Sequence, residues 1–282
     1  MTLDTLLRLG RVSNLPTVWT NALAGVVLAG SDTGFFGTFL LAGIALTFFY
    51  EGGMWLNDAF DAEIDARERA NRPIPNGEIS LQTVFAGGFA MLGIGVLIAF
   101  MLGTTAGLAG IALAVAIVLY DWLHKKVSFG PVLMGATRFF SYVMAACAIG
   151  DLSNAALFGG LGLFAYIIGL TYAAKQEAYD QIGSAWPLAV LALPLIYALS
   201  LIGDAPLVLV FWFGLAGVVA FALHRLFRRQ PGDVPKAVVT MIAGISLYDA
   251  ALIASTGMTM LAVVAALGFV LTLYLQRVAA GT

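Results

Sequence analysis

Asn57-Asp58-Ala59-Phe60-Asp61-Ala62-Glu63-Ile64-Asp65, with Arg69, Arg72-Pro73-Ile74-Pro75 and Gly77 close behind, brings acids and bases together at the end of an apolar segment. That segment is one of many. The 282-residue chain is 61% hydrophobic and 11% charged, with a mean hydropathy of +0.94. A soluble domain carries about 25% charged residues, so this composition describes a membrane protein. Runs of about 20 apolar residues read as membrane-crossing helices. Ten are predicted, near 14–30, 36–56, 82–102, 105–122, 131–150, 155–175, 186–202, 206–225, 236–255 and 258–276. The expected fold is all-α: a polytopic bundle of about nine to ten transmembrane helices.

Charge asymmetry tests that count, because Lys and Arg concentrate in short cytoplasmic loops. With ten alternating spans, Arg8, Arg11, Arg67, Arg69, Arg72, Lys125, Lys126, Lys175, Arg225, Arg228, Arg229, Lys236 and Arg277 all fall at one face. The opposite loops, around Asp32, Gly103, Asp151, Asp204 and Gly257, hold no basic residue. Arg138 is the exception, inside the fifth span. Both termini and the acidic stretch are therefore expected on the cytoplasmic side, in a bacterial inner (plasma) membrane.

On a helix turning 100° per residue, Asp58, Asp61 and Asp65 fall at about 0°, 300° and 340° and share one face. Like charges this close need a cation between them, and hard Mg²⁺, which prefers carboxylate and phosphate oxygen, is the natural one. The downstream bases then suit a bound diphosphate.

The remaining composition excludes more than it assigns. Cys147 is the single cysteine, so no intramolecular disulfide forms. Arg8 and Arg11 precede an apolar run ending Leu28-Ala29-Gly30, as in a signal peptide, but Pro16, Thr17, Trp19 and Asn21 make a poor signal core, and no cleavage is expected. The 32 glycines are spread through the spans, which fits close helix contacts in lipid. No linker or low-complexity tract divides residues 1–282, read as a single domain, and no basic stripe points to nucleic acid.

Asn57, Asp58, Asp61 and Asp65, followed by Arg72-Pro73-Ile74-Pro75-Asn76-Gly77, resemble the Asn-Asp-x-x-Asp-x-x-x-Asp and Arg-Pro-(Ile/Leu)-Pro-x-Gly signature of the UbiA superfamily of intramembrane prenyltransferases. The opening run Arg11-Val12-Ser13-Asn14-Leu15-Pro16-Thr17-Val18-Trp19-Thr20-Asn21 also looks like that family's first span, and the similarity of layout covers most of the chain. The family's second acidic motif, Lys-Asp-x-x-x-Asp after the sixth span, is altered to Lys175-Gln176-Glu177-Ala178-Tyr179-Asp180. Lys175 and Asp180 match; Gln176 replaces the first Asp, and Glu177, three residues before Asp180, is the available substitute. A third feature, tyrosine then a basic pair, reads Tyr120-Asp121-Trp122-Leu123-His124-Lys125-Lys126. Gly135-Ala136-Thr137-Arg138 and the altered second motif resemble a divergent bacterial branch, some of whose members are linked to metabolite export rather than quinone synthesis.

The resemblance implies Mg²⁺-dependent transfer of a prenyl group from an isoprenyl diphosphate to an aromatic or lipid acceptor, with release of pyrophosphate. Spans two and six run in the same direction, so their acidic ends meet over one central cavity open to the cytoplasmic side. Asp58, Asp61, Asp65 and Asp180 are the implied catalytic residues, and these with Glu177 the implied metal ligands. Asn14, Asn57, Arg69, Arg72, Tyr120, Lys125, Arg138, Tyr172 and Lys175 are the implied substrate-binding positions. Arginine holds phosphate oxygens in bidentate fashion. Faces such as Tyr120 or Tyr172 stabilise an allylic cation by about 0.5–2 kcal/mol each, and a dry cavity protects it from water.

Plainer readings stand beside these. Glu177 and Asp180 also fit a helix end paired with Lys175, and Lys125 and Lys126 also fit positive anchors of a span. Arg138 is costly within a span unless paired or wetted; a structural ion pair would use Asp121 or Glu51. Asp249, mid-span, reads as a protonated or hydrogen-bonded structural acid. Phe48, Phe49, Tyr50 and Trp55 read as lipid or interface contacts. The competing function is a non-catalytic carrier or export component keeping the same fold, for which Gln176 is the best argument.

Overall fold

Backbone N–H and C=O groups have no water to bond in the hydrocarbon core, so the apolar runs must close their hydrogen bonds internally as helices. The computed structural model describes residues 2–30, 34–176, 184–203 and 205–278, and every regular element among them is helical. In chain order these are α1 (Leu3–Gly10), α2 (Leu15–Ala29), α3 (Phe35–Phe60), α4 (Ala62–Glu68), α5 (Leu81–Leu102), α6 (Thr104–Leu123), α7 (Gly130–Cys147) and α8 (Asn154–Lys175). There follow α9 (Ala192–Ser200), α10 (Leu207–Arg228), α11 (Asp233–Ser255) and α12 (Thr259–Val278). A 3₁₀ turn over Val12–Asn14 leads into α2, and another over Trp186–Leu191 leads into α9.

Helical segments occupy all ten stretches expected from hydropathy, and seven (α3, α5, α6, α8, α10, α11 and α12) are long and apolar enough to cross a membrane. The protein is an integral membrane protein. The remaining three are α2, only 15 residues long, α7, which carries Arg138, and the short Trp186–Ser200 segment.

Side-chain caps open several helices: Thr2 accepts from the Thr5 amide, Ser80 from Thr83 and Ser153 from Ala156. The bundle is layered. In α11, 78% of the span is buried, whereas in α12 only 22% is, so α11 is an inner helix and α12 lies at the periphery. α11 packs on α2, α8, α10 and α12, with Leu163, Tyr166, Leu215 and Tyr248 in the shared core. A second core, with Leu46, Phe49, Leu56 and Leu113, joins α3 to α5 and α6. Apolar burial drives little association between helices already in lipid, so close packing of small residues carries more of it. Where α3 meets α5, a Cβ on Gly52 would lie 2.9 Å from the Gly88 carbonyl oxygen. The two backbones approach too closely for any side chain there, and this sets the close spacing of α3 against α5.

Candidate functional site

The acids sit at the end of α3. Asp58 is on its last turn, Asp61 caps it, and Asp65 lies in α4. The single continuous helix expected through them is therefore broken at Asp61. Their common face survives because the i→i−4 bonds bridge the break: the Asp61 amide donates to Asn57 O at 3.0 Å and the Asp65 amide to Asp61 O at 2.8 Å. All three are buried.

Each acid has a different electrostatic setting. Asp58 receives Arg11 Nη2 at 2.9 Å and Arg72 Nη1 at 3.0 Å. Asp61 lies 3.0 Å from Lys125 Nζ and 3.5 Å from His124 Nε2. Burial pushes the Asp61 carboxyl up, but the His124 and Lys125 hydrogen bonds and charges outweigh it and hold the group below its ordinary value. Asp65 makes no side-chain hydrogen bond or ion pair among the described residues. Burial raises its pKa, the Arg72 charge offsets this in part, and Asp58 and Asp61 push it further up.

The Arg-Pro-Ile-Pro-x-Gly tail folds so as to return Arg72 to Asp58. The Asn76 amide donates to Arg72 O, Gly77 to Ile74 O and Glu78 to Pro73 O, and the reversal needs φ = 74° at Gly77, which only glycine adopts freely. Glu78 then accepts from Thr5 Oγ1 at 2.8 Å and Arg8 Nη1 at 3.0 Å, tying the tail to α1. Arg11 approaches from the end of α1 with a left-handed backbone at φ = 45°, and Tyr50 donates to its carbonyl oxygen at 3.0 Å.

A cavity lies between α2, α3, α6 and α7. Its walls are largely apolar, with Val18, Leu46, Phe49 and Ile117, and its polar groups include Tyr50, Tyr120, Asp121 and Arg138. Asn57 joins it to the acids: Oδ1 accepts from Arg11 at 3.3 Å and Nδ2 donates to Asp121 Oδ1 at 3.1 Å. Tyr120 stacks on His124 with 4.8 Å between ring centroids. Arg138 does not pair with Asp121 or Glu51, the two expected partners. Its guanidinium donates to Asn21 Oδ1 at 2.8 Å and Thr17 Oγ1 at 3.4 Å, and lies over the Tyr50 ring. Asn21 in turn donates to Asp249 Oδ2 at 2.8 Å, and Tyr142 donates to Asp249 Oδ1. Asp249 is thus a hydrogen-bonded acid in a fully buried polar chain, and a neutral amide separates it from the arginine.

The expected site residues divide accordingly. Asp58, Asp61, Asn57, Arg72 and Lys125 come together, and Tyr120 and Arg138 line the adjoining cavity. Lys175 reaches the same end of the bundle, donating to His124 O at 3.0 Å. Tyr172 does not reach the acids: its hydroxyl donates to Ser184 O at 2.6 Å. Asn14 is buried and bonded to the Gln276 side chain. Arg69 is exposed and makes no side-chain hydrogen bond or ion pair among the described residues. Glu177 and Asp180 lie outside those residues. Arg11 and His124 were not among the expected site residues; the only signal for either was its place within a quoted motif.

Among the described residues, no three or more His, Cys, Asp or Glu side chains are grouped to hold a metal ion. Asp58 and Asp61 are instead paired with bases. The donor chemistry nevertheless suits a hard divalent cation, since three buried carboxylates stand in sequence and Asp65 has no base of its own.

Residues 18–241 match the UbiA prenyltransferase family. A digeranylgeranylglyceryl phosphate synthase of Methanothermobacter thermautotrophicus is 29% identical over 164 residues, 57% of either chain. The chain spans little more than half the length of the first curated relatives it matches. The solved apo structure of a UbiA homolog from Aeropyrum pernix K1 is similar in fold at a TM-score of 0.67, with 18% identity over 86% of this chain and 96% of that one. A UbiA homolog from Archaeoglobus fulgidus bound to DMAPP and Mg²⁺ is similar at 0.54, with 15% identity over 97% and 99%. The motif, the bundle and a family match over most of the chain lead to one assignment: the chain belongs to the UbiA prenyltransferase family.

Proposed function

We propose that the protein transfers a prenyl group from an isoprenyl diphosphate to an aromatic or lipid acceptor within the membrane, releasing pyrophosphate with the help of Mg²⁺. The observation that carries this reading is the cluster of Asp58, Asp61, Arg11, Arg72 and Lys125 joined through Asn57 to an apolar cavity. Charged groups for a diphosphate and a largely apolar chamber for a hydrocarbon thus adjoin. Relatives named as prenyl-transferring synthases and a homolog bound to DMAPP and Mg²⁺ support the same reading.

In this reading Asp58, Asp61 and Asp65, with Glu177 and Asp180, hold the divalent cation. The chemistry the cation supplies when bound is neutralisation of the departing pyrophosphate. Arg11, Arg72 and Lys125, released from their carboxylates, grip phosphate oxygens. Lys175, held near His124, adds positive charge at the same end. Tyr50 and Tyr120 line the cavity, where an aromatic ring favours the allylic cation, and the apolar walls keep water from capturing it. The basic face is the cytoplasmic one, both termini lie there, and the membrane is a bacterial plasma membrane.

The test is purified protein with Mg²⁺ and radiolabelled geranyl diphosphate, offered a panel of phenolic acids and alkyl glycerol lipids. Metal-dependent transfer, abolished by chelation and in Asp58→Ala and Asp61→Ala, is expected. Diphosphate binding with no transfer to any acceptor would reject the enzyme in favour of a carrier.

A further inference from the structure

Asp121 is 3% exposed and lines the cavity beside Tyr50, Tyr120 and Arg138. One carboxylate oxygen, Oδ1, accepts from Asn57 at 3.1 Å. The other, Oδ2, is buried and has no hydrogen-bond partner. A buried polar atom left unpaired is unfavourable and rare, and calls for a missing partner. Holding Asn57 in place needs only one acceptor oxygen, so the second is surplus to structure. Arg138 does not neutralise it, since Nη1 and Nη2 donate to Asn21 and Thr17.

Resting on the prenyl-transfer reading above, we infer that Asp121 is a catalytic residue that receives the acceptor's hydroxyl, and that the acceptor is a neutral alcohol or phenol. An O–H group is the partner Oδ2 lacks. The step balances without an oxidant or reductant. The acceptor oxygen uses a lone pair to bond C1 of the prenyl group, and the C1–O bond to pyrophosphate breaks with its electrons leaving on pyrophosphate. The hydroxyl proton passes to Asp121 Oδ2. Asn57 couples the two halves of the site, being hydrogen-bonded both to Arg11 at the acids and to Asp121 in the cavity.

Asp121→Asn is the variant to make. It keeps the shape and the oxygen that faces Asn57, but presents an N–H donor in place of the free lone pair. With geranyl diphosphate and Mg²⁺, transfer to alcohols and phenols is expected to fall at least about 100-fold, the scale of lost proton-transfer catalysis, with the Kd for geranyl diphosphate unchanged. Asp121→Glu is expected to recover part of the rate. Transfer by Asp121→Asn at the wild-type rate overturns the assignment, and so does a parallel loss of geranyl diphosphate binding in Asp121→Asn and Asp121→Glu, which marks a structural role. Equilibrium binding of a tritiated alkyl glycerol ether needs no turnover: weaker binding by Asp121→Asn supports the assignment, and equal binding overturns it. Wild-type protein that binds the ether better than the variant yet converts no acceptor rejects the transferase reading alone.

Discussion

Replacing Asp58 by alanine removes one carboxylate from beneath two guanidinium groups. Three contacts disappear, at 2.9 Å to Arg11 and at 3.0 and 3.3 Å to Arg72. Removing one partner of a buried ion pair costs about 3–5 kcal/mol, mostly for the charge left behind. Here the arginine side chains retain 20% and 18% exposure, so water recovers part of that cost. The expected loss of stability is about 2–3 kcal/mol, roughly 30- to 160-fold in the folding equilibrium. Asp58→Asn, which keeps one acceptor oxygen, is expected to lose about half as much. Equilibrium unfolding by SDS in mixed micelles, followed by tryptophan fluorescence, measures both. A double-mutant cycle with Arg72→Ala isolates the pair, with an expected coupling of about 1–2 kcal/mol. Geranyl diphosphate and Mg²⁺ at about 100 times Kd add about 2.7 kcal/mol to the wild type and nothing to Asp58→Ala. An Asp58→Ala protein as stable as wild type, uncoupled from Arg72 and still stabilised by the ligand, would refute the reasoning.

Three further outcomes are expected. The Glu78 carboxyl is held below its ordinary value by hydrogen bonds from Asn76 and Thr5 and then by Arg8, so its contribution is present above the unfolded pKa and lost as pH falls through the folded one. Amide protection factors in α1, corrected for the intrinsic pH dependence of exchange, should fall under acid below about pH 4.5, and not in Glu78→Gln, where a matching acid response would remove Glu78 as the cause. Asn21→Leu removes one hydrogen bond from the Arg138 guanidinium and one from the Asp249 carboxyl, leaving each its remaining partner, Thr17 and Tyr142; a loss of about 1–3 kcal/mol is expected, and an unchanged thermal midpoint would show that the bridge carries no energy. Gly162→Ala places a Cβ 2.0 Å from Tyr248 Oη, which donates to Gly159 O; about 1–3 kcal/mol is expected to be lost, against no loss for Gly37→Ala, which meets no atom within 4 Å, and equal stability of the two would contradict the packing.

Hydropathy alone locates the helices, because a chain in lipid must satisfy its backbone within each apolar run, and such runs are visible residue by residue. The acids were legible for the same reason: Asp58, Asp61 and Asp65 are charges placed where the composition otherwise avoids charge. The family resemblance, carried by a long motif rather than a pair of acids, pointed to the superfamily that the match over residues 18–241 identifies. The helix break at Asp61 was not legible, since three acids at these spacings suit a continuous helix as well as an interrupted one.

Pairing was beyond a one-dimensional reading. Arg11 meets Asp58 across 47 residues, and Asn21 meets Asp249 across 228. Arg138 was expected to need a partner, but two nearby acids were the obvious candidates, and the fold supplied a distant amide instead. Composition and motif established a membrane bundle with an acidic mouth, because those properties depend on what each segment must bury. Which base neutralises which acid, and which oxygen of Asp121 is left for a ligand, came only from the packed helices, because charge and hydrogen-bond partnership depend on distances that chain order does not encode.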